Sequence, residues 1–187
     1  MKKGIGILLA LIMMFSLCAC AKPEEQAKEA VVNMIESLKS GEYEKAATFA
    51  DIDATAALGE DEESKKMIGL MFSGISYNIV STTKVDDSTV MVKMEITNKD
   101  MGAVMEAYLG KMFEIALAVG EEMTAEEASA KSQSIMTECI SDPAIGTHTE
   151  LVDVKVVKVE NGWQVQSDEA FTNALLGGLV SAVKSYQ

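Results

Sequence analysis

Apolar residues change their spacing several times along this chain, and each change marks a predicted element. Gly4 to Leu17 is almost wholly apolar. Ala27, Val31, Met34, Ile35 and Leu38 then recur at helical intervals, and Ser40-Gly41 supplies a stop. A short helix follows in EYEKAATFA, with Tyr43, Ala46, Phe49 and Ala50 on one side. Asp51 to Glu63 is acidic and irregular, and a helix around Ser64 to Phe72 offers Met67, Leu70 and Met71 for burial. Ile75 to Val85 is rich in β-branched residues, and Asp86-Asp87-Ser88 reads as a turn. Val90, Val92, Met94 and Ile96 alternate with Met91, Lys93 and Glu95, the period of a half-buried strand. Asp100 is placed to cap a long helix striped by Met101, Val104, Met105, Tyr108, Leu109, Met112 and Phe113. Thr124-Ala-Glu-Glu127 is a capping box that opens another helix, to about Cys139.

The segment VDVKVVKVENGWQVQ places Asn161-Gly162 between two β runs, a two-residue turn signal. That turn sets Glu160 opposite Trp163 and Lys158 opposite Val165, so Trp163 and Val165 share a face with Val152, Val154 and Val156. Val157 and Val159 point the other way. The reverse side therefore calls for a cover, and the closing helix with Phe171, Ala174, Leu175, Leu179 and Val183 is the candidate. Gly177-Gly178 weakens that helix in its middle.

The start of the chain carries an address. Met1-Lys2-Lys3 is basic, and the apolar run after it is short for a membrane span, which needs roughly 20 residues. Leu17-Cys18-Ala19-Cys20 resembles the lipobox of bacterial lipoproteins. That resemblance implies a diacylglyceryl thioether on Cys20, cleavage before it, and loss of residues 1–19 as signal peptide. Cys18 fits worse as the modified residue, because Phe15 stands where the leucine belongs. An ordinary cleaved signal or an uncleaved anchor with incidental cysteines is the alternative. Two acyl chains on one residue give stable anchoring where a single chain does not. Residues 20–26 then read as a lipidated tether. Residues 27–187 read as a single α+β domain with a helical insertion at about 100–139.

The order of helix, GEYEKAATFAD, strands and a final VKVVKVENGWQV resembles the nuclear transport factor two-like, or cystatin-like, fold. It is most similar to small lipoproteins of Gram-positive bacteria that carry such domains without known function. The resemblance implies amino-terminal helices packed across a strongly curved, cone-like antiparallel sheet that leaves a conical pocket. The helical pair from Asp100 to Cys139 and the carboxy-terminal helix depart from that plan, and either is placed to fill the cone.

Charge narrows the partners. The chain has 16 basic residues, all of them lysine, against 29 acidic ones, for a net charge of −13. Such a surface repels nucleic acid and anionic lipid, and the absence of arginine removes the planar fork that grips phosphate. After processing, Cys139 is the only thiol outside the lipidated position, so no internal disulfide can form.

Catalytic and metal chemistry finds little to build on. Cys139 and His148, the sole histidine, could approach as nucleophile and base, but no third orienting group or oxyanion loop accompanies them. Tyr43, Tyr77 and Tyr108 could serve an aspartate-and-tyrosine chemistry of the kind ketosteroid isomerase performs in an apolar cone, yet no position matches closely enough to carry a role. GEDEESKK and the Asp51-Ile-Asp53 pair lack the alternating pattern of a calcium loop, and zinc would need more His or Cys ligands. Met101, Met105 and Met112 read as core unless the helical pair stands off the sheet, in which case their stripe is exposed.

The expectation is a non-catalytic binding or interaction module without cofactor, held by Cys20 on the outer face of the cytoplasmic membrane of a Gram-positive bacterium. Its partners would be the membrane, through the lipid, and a small apolar ligand or an envelope protein. The alternatives are a cone-pocket enzyme acting on a small apolar substrate, or a structural envelope component.

Overall fold

The computed structural model describes residues 22–51, 62–118 and 124–185. In chain order the elements are α1 (Pro23–Lys39), α2 (Tyr43–Thr48), α3 (Glu62–Ser73), β1 (Ser76–Lys84) and β2 (Thr89–Lys99). After them come α4 (Met101–Ala118), α5 (Ala125–Ser141), β3 (Thr147–Val159), β4 (Gly162–Gln166), α6 (Glu169–Leu175) and α7 (Leu179–Ser185). Helix α1 opens on a proline, whose missing N–H costs nothing there, inside the stretch read as tether. It ends as the glycine signal predicts. Gly41, at φ +76°, donates to the Leu38 carbonyl and Glu42 N donates to the Ser37 carbonyl at 2.8 Å, a Schellman stop.

The four strands pair antiparallel in the order β1-β2-β3-β4. Val90, Val92, Met94 and Ile96 of β2 face Val156, Val154, Val152 and Glu150 of β3, and all four β2 residues are fully buried. Helix α1 lies across this face with Val31, Met34 and Ile35 beneath it, and α6 adds Phe171 and Ala174 to the same core. The β3–β4 turn occupies Glu160-Asn161 rather than Asn161-Gly162, with Lys158 opposite Trp163 and Val156 opposite Val165. Among the described residues only glycines take positive φ, so Gly162, at +140°, follows the turn instead of sitting at its centre. The pairing slips by two residues from the expected one. Because side chains alternate with period two, each stays on its expected face.

The cone-like, strongly curved sheet expected from the family resemblance is corrected by this topology. The sheet is an open meander with β1 and β4 at its edges, not a curled or closed one. Strong curvature needs bulges repeated around a sheet, whereas one register shift, between Ile79 and Ser81, is present in the pairings described. The space a cone would leave hollow is packed by α1 and α6. The closing segment is corrected as well. Gly177 and Gly178, at φ +53° and +82°, terminate α6 with a second Schellman stop and split the expected single helix into α6 and α7. Helix α6 packs on the same face as α1, so it does not cover the reverse side. There Val80, Leu151 and Val159 remain exposed beside Lys93, Glu95, Asp153 and Lys155.

The edges are managed differently. Val165 N donates to the Phe49 carbonyl at 2.7 Å and Asp51 N to the Val165 carbonyl at 3.1 Å, so the 49–51 backbone covers β4. On β1 the irregularity at Val80 breaks the edge instead, a common guard against strand addition.

A second core lies beyond one end of the sheet. Met101, Val104, Ile135, Cys139 and Ile140 are buried together, with Met67, Leu70 and Met71 of α3 packed against them. Asn98 joins the two cores. Its fully buried amide donates to the Met71 carbonyl at 3.0 Å and the Leu175 carbonyl at 2.7 Å, and its oxygen accepts from Lys99 N. Lys99 extends the link by donating from Nζ to the carbonyls of Asp142 and Ile145, just past the end of α5.

Candidate functional site

The geometry gives the molecule two distinct ends. At one, the amino terminus of α1 meets the strand turns: Trp163 Nε1 donates to Gln26 Oε1 at 2.9 Å, and Lys158 N donates to the Ser88 carbonyl at 2.8 Å. At the other, Lys39 near the end of α1 sets its ammonium 5.8 Å from the centroid of the Tyr77 ring, close to the start of β1. Strand β2 runs from the first end to the second and passes directly into α4. Its eleven residues separate the α1 start from the helical layer by about 33 Å. Cys20, the predicted lipidation residue, lies outside the described residues, as do the signal peptide and the first residues of the tether.

Helix α4 begins as its cap predicts, with Ala103 N donating to Asp100 Oδ1 at 2.9 Å. It pairs with α5, whose capping box is complete: Glu127 N donates to Thr124 Oγ1, and Thr124 N donates to Glu127 Oε2 at 3.0 Å. The Glu127 carboxyl is held below its ordinary value of 4.5, first by the Thr124 backbone N–H and then by its hydroxyl. Across the pair Tyr108 Oη and Ser132 Oγ share a hydrogen bond at 2.7 Å, and Lys111 meets Glu138 at 2.6 Å.

The α4 stripe divides. Met101 and Val104 are buried, and Tyr108, Met112 and Ile115 pack partly buried on the second core. Met105 is half-buried. The methionines are thus mostly core. Leu109, Phe113 and Leu117, at four-residue spacing, are instead 50%, 65% and 73% exposed. Helix α4 is apolar on more than one side, a pattern usual in helices covered all round, yet this side is open. Around the three residues stand Glu106, Gly110, Glu114 and Ala116, all exposed.

The other candidates separate. Cys139 is 1% exposed within the second core, and no hydrogen bond joins it to His148. His148 instead lies 3.4 Å from Glu150 Oε2, which also accepts from Asn173 Nδ2 at 2.8 Å, while the ring packs against Gly178. This places the histidine in the α6–α7 junction rather than beside a thiol. Tyr43 Oη is buried without a hydrogen-bond partner among the described residues, and burial raises its pKa. Tyr77 is raised too, by burial and then by its bond to Glu36. Asp51 caps Ser167 N at 2.8 Å, and Asp53 lies outside the described residues. Among the described residues no group of three or more His, Cys, Asp or Glu could hold a metal ion.

A groove of about 660 Å³ runs between α1 and the β3–β4 hairpin, past Gln26, Asn33, Phe49 and Trp163. It lies outside the packed interior and does not correspond to the expected cone. No helix among the described residues is long and apolar enough to cross a membrane.

No family model matches the chain, and no curated protein sequence matches it. Among solved structures it aligns with a protein of Bacillus subtilis subsp. subtilis str. 168 provisionally described as a lipoprotein. The two are 17% identical, with a TM-score of 0.45, over 80% of this chain and 45% of that one. This chain therefore spans under half the length of that protein.

Proposed function

We propose that this protein is a non-catalytic interaction module, anchored by lipidated Cys20 to the outer face of the cytoplasmic membrane and presenting its helical layer to an extracytoplasmic protein. The observation that carries the reading is the exposed row Leu109, Phe113 and Leu117 on a helix whose other side is already used in a core. Packing alone gives no reason to leave three large apolar residues at least half in water, at about 1–2 kcal/mol of forgone burial each. The position supports the same reading. Only Ala21 and Lys22 separate Cys20 from Pro23, and a chain extends at most about 3.6 Å per residue, so an anchor there keeps the strand-turn end near the bilayer. Helix α4 then begins at the end of β2 remote from it.

The test has two parts. Mass spectrometry of the mature amino terminus is expected to find an acylated Cys20, and an unmodified Ala21 terminus would remove the anchor. A photo-crosslinking side chain at Phe113, in cells, is expected to capture a discrete protein that the same group at Lys155 on the open sheet face does not. Equal capture from both positions would remove the interaction reading.

A further inference from the structure

The row on α4 has a chemistry of its own, and it narrows what can sit there. We propose that the outer face of α4 docks an amphipathic helix whose apolar stripe is flanked by lysine or arginine; this rests on the interaction-module reading above.

Shape points to a helix. Leu109, Phe113 and Leu117 form a single i, i+4, i+8 ridge about 12 Å long, the kind that interdigitates with the equivalent ridge of a second helix. Gly110 sits beside the ridge, and a Cβ added there would meet nothing within 4 Å among the described residues, so a partner backbone can come close. Charge specifies the flanks. Glu106 and Glu114 border the ridge, and the nearest lysine of α4, Lys111, is turned to Glu138 across the helix pair. An incoming helix therefore meets carboxylates around an apolar centre, and cations at its flanks complement them.

The same features disfavour the two other occupants. A second copy packed two-fold on this ridge would set one acid-flanked ridge against another, between two strongly acidic chains. A bilayer is disfavoured because α4 leaves the sheet at the end opposite the start of α1.

The experiment uses the protein as purified from cells, in phosphatidylcholine nanodiscs when it carries acyl chains and in buffer when it does not. The docking result is thereby independent of the anchor. Fluorescence anisotropy follows three synthetic helices of about 18 residues. One has a leucine stripe flanked by lysines, one the same stripe flanked by glutamates, and one the lysine composition scrambled so that no stripe forms; empty discs serve as blank. Binding of the lysine-flanked helix is expected to be at least about tenfold tighter than either other peptide, and Phe113→Ser is expected to weaken it by about tenfold or more. Leu151→Ser, on the open sheet face, is expected to leave it unchanged, and circular dichroism checks that both variants keep their helix. Three outcomes would overturn the proposal. They are equal binding of the scrambled helix, indifference to Phe113→Ser, or sedimentation of a dimer that Phe113→Ser dissolves, which would make the occupant a second copy.

Discussion

Beneath the sheet, Val90, Val92, Met94 and Ile96 of a single strand are withdrawn completely from solvent. In the helical layer, α4 buries Met101 and Val104 to a similar degree and then leaves Leu109, Phe113 and Leu117 at least half exposed. The contrast follows from how each region is covered. The sheet offers one broad apolar face, and α1 and α6 together are wide enough to close it. The helical layer has α5 and α7 against α4, with α3 packed on α5 and the shared core, and these leave part of a helix that is apolar on more than one side open. A region completed by its own chain serves as scaffold, and the uncompleted one is where a partner has something to gain.

That comparison can be broken most sharply at the junction of the two regions. Gly177 combines φ +53° with a backbone so close to Lys99 that an added Cβ would lie 1.8 Å from its carbonyl oxygen. Gly177→Ala is expected to cost about 4 kcal/mol, from left-handed strain plus overpacking, measured by urea denaturation. Next comes Met94→Ala, which opens a cavity in the completed core and is expected to cost about 3 kcal/mol. The same truncation at half-buried Met105 is expected to cost less than half as much, and equal losses would erase the distinction between the regions. Asn98→Ala removes the amide that ties both cores together and leaves the Met71 and Leu175 carbonyls unmatched, an expected loss of about 2 kcal/mol. Phe113→Ser is expected to stay within about 0.5 kcal/mol, as an exposed position should. A larger loss would show that the row belongs to the fold after all.

The smallest effect is electrostatic. The Glu127 carboxyl is lowered from 4.5 in the folded chain by the Thr124 backbone N–H and hydroxyl. Its capping contribution is therefore complete above that pH and is lost as pH falls through the lower folded-state value. Hydrogen exchange at the first turn of α5 is expected to quicken on acidification to that range, and Glu127→Gln is expected to flatten the dependence. The sheet core contains no equivalent group among its buried residues, so its exchange should follow global stability instead.

Much of this fold was legible in advance. The β2 alternation, the α1 stripe, the Asp100 cap and the Thr124–Glu127 box stand where their spacing puts them, because each is set by residues within a few positions of one another. Gly41 marked its helix end for the same reason. The site was less legible. The α4 stripe was visible, but its methionines drew attention, whereas Leu109 and Phe113 within it and Leu117 beyond it carry the exposed surface. The usable signal was the presence of apolar residues on more than one side of a helix, which marks a surface to be covered without saying by what.

From its own order of residues this chain determined the periods, the caps, the acidic charge and the spacing around Cys20, all properties of neighbours along the backbone. Only the tertiary structure decided that the sheet stays open, that α6 packs beside α1 on one face of it, that the last helix is cut at Gly177, and that Leu109, Phe113 and Leu117 of α4 stay exposed. Periodicity tells which side chains share a face. Which faces then meet depends on the competition of every element for a limited apolar surface, and that is settled only when all of them are packed at once.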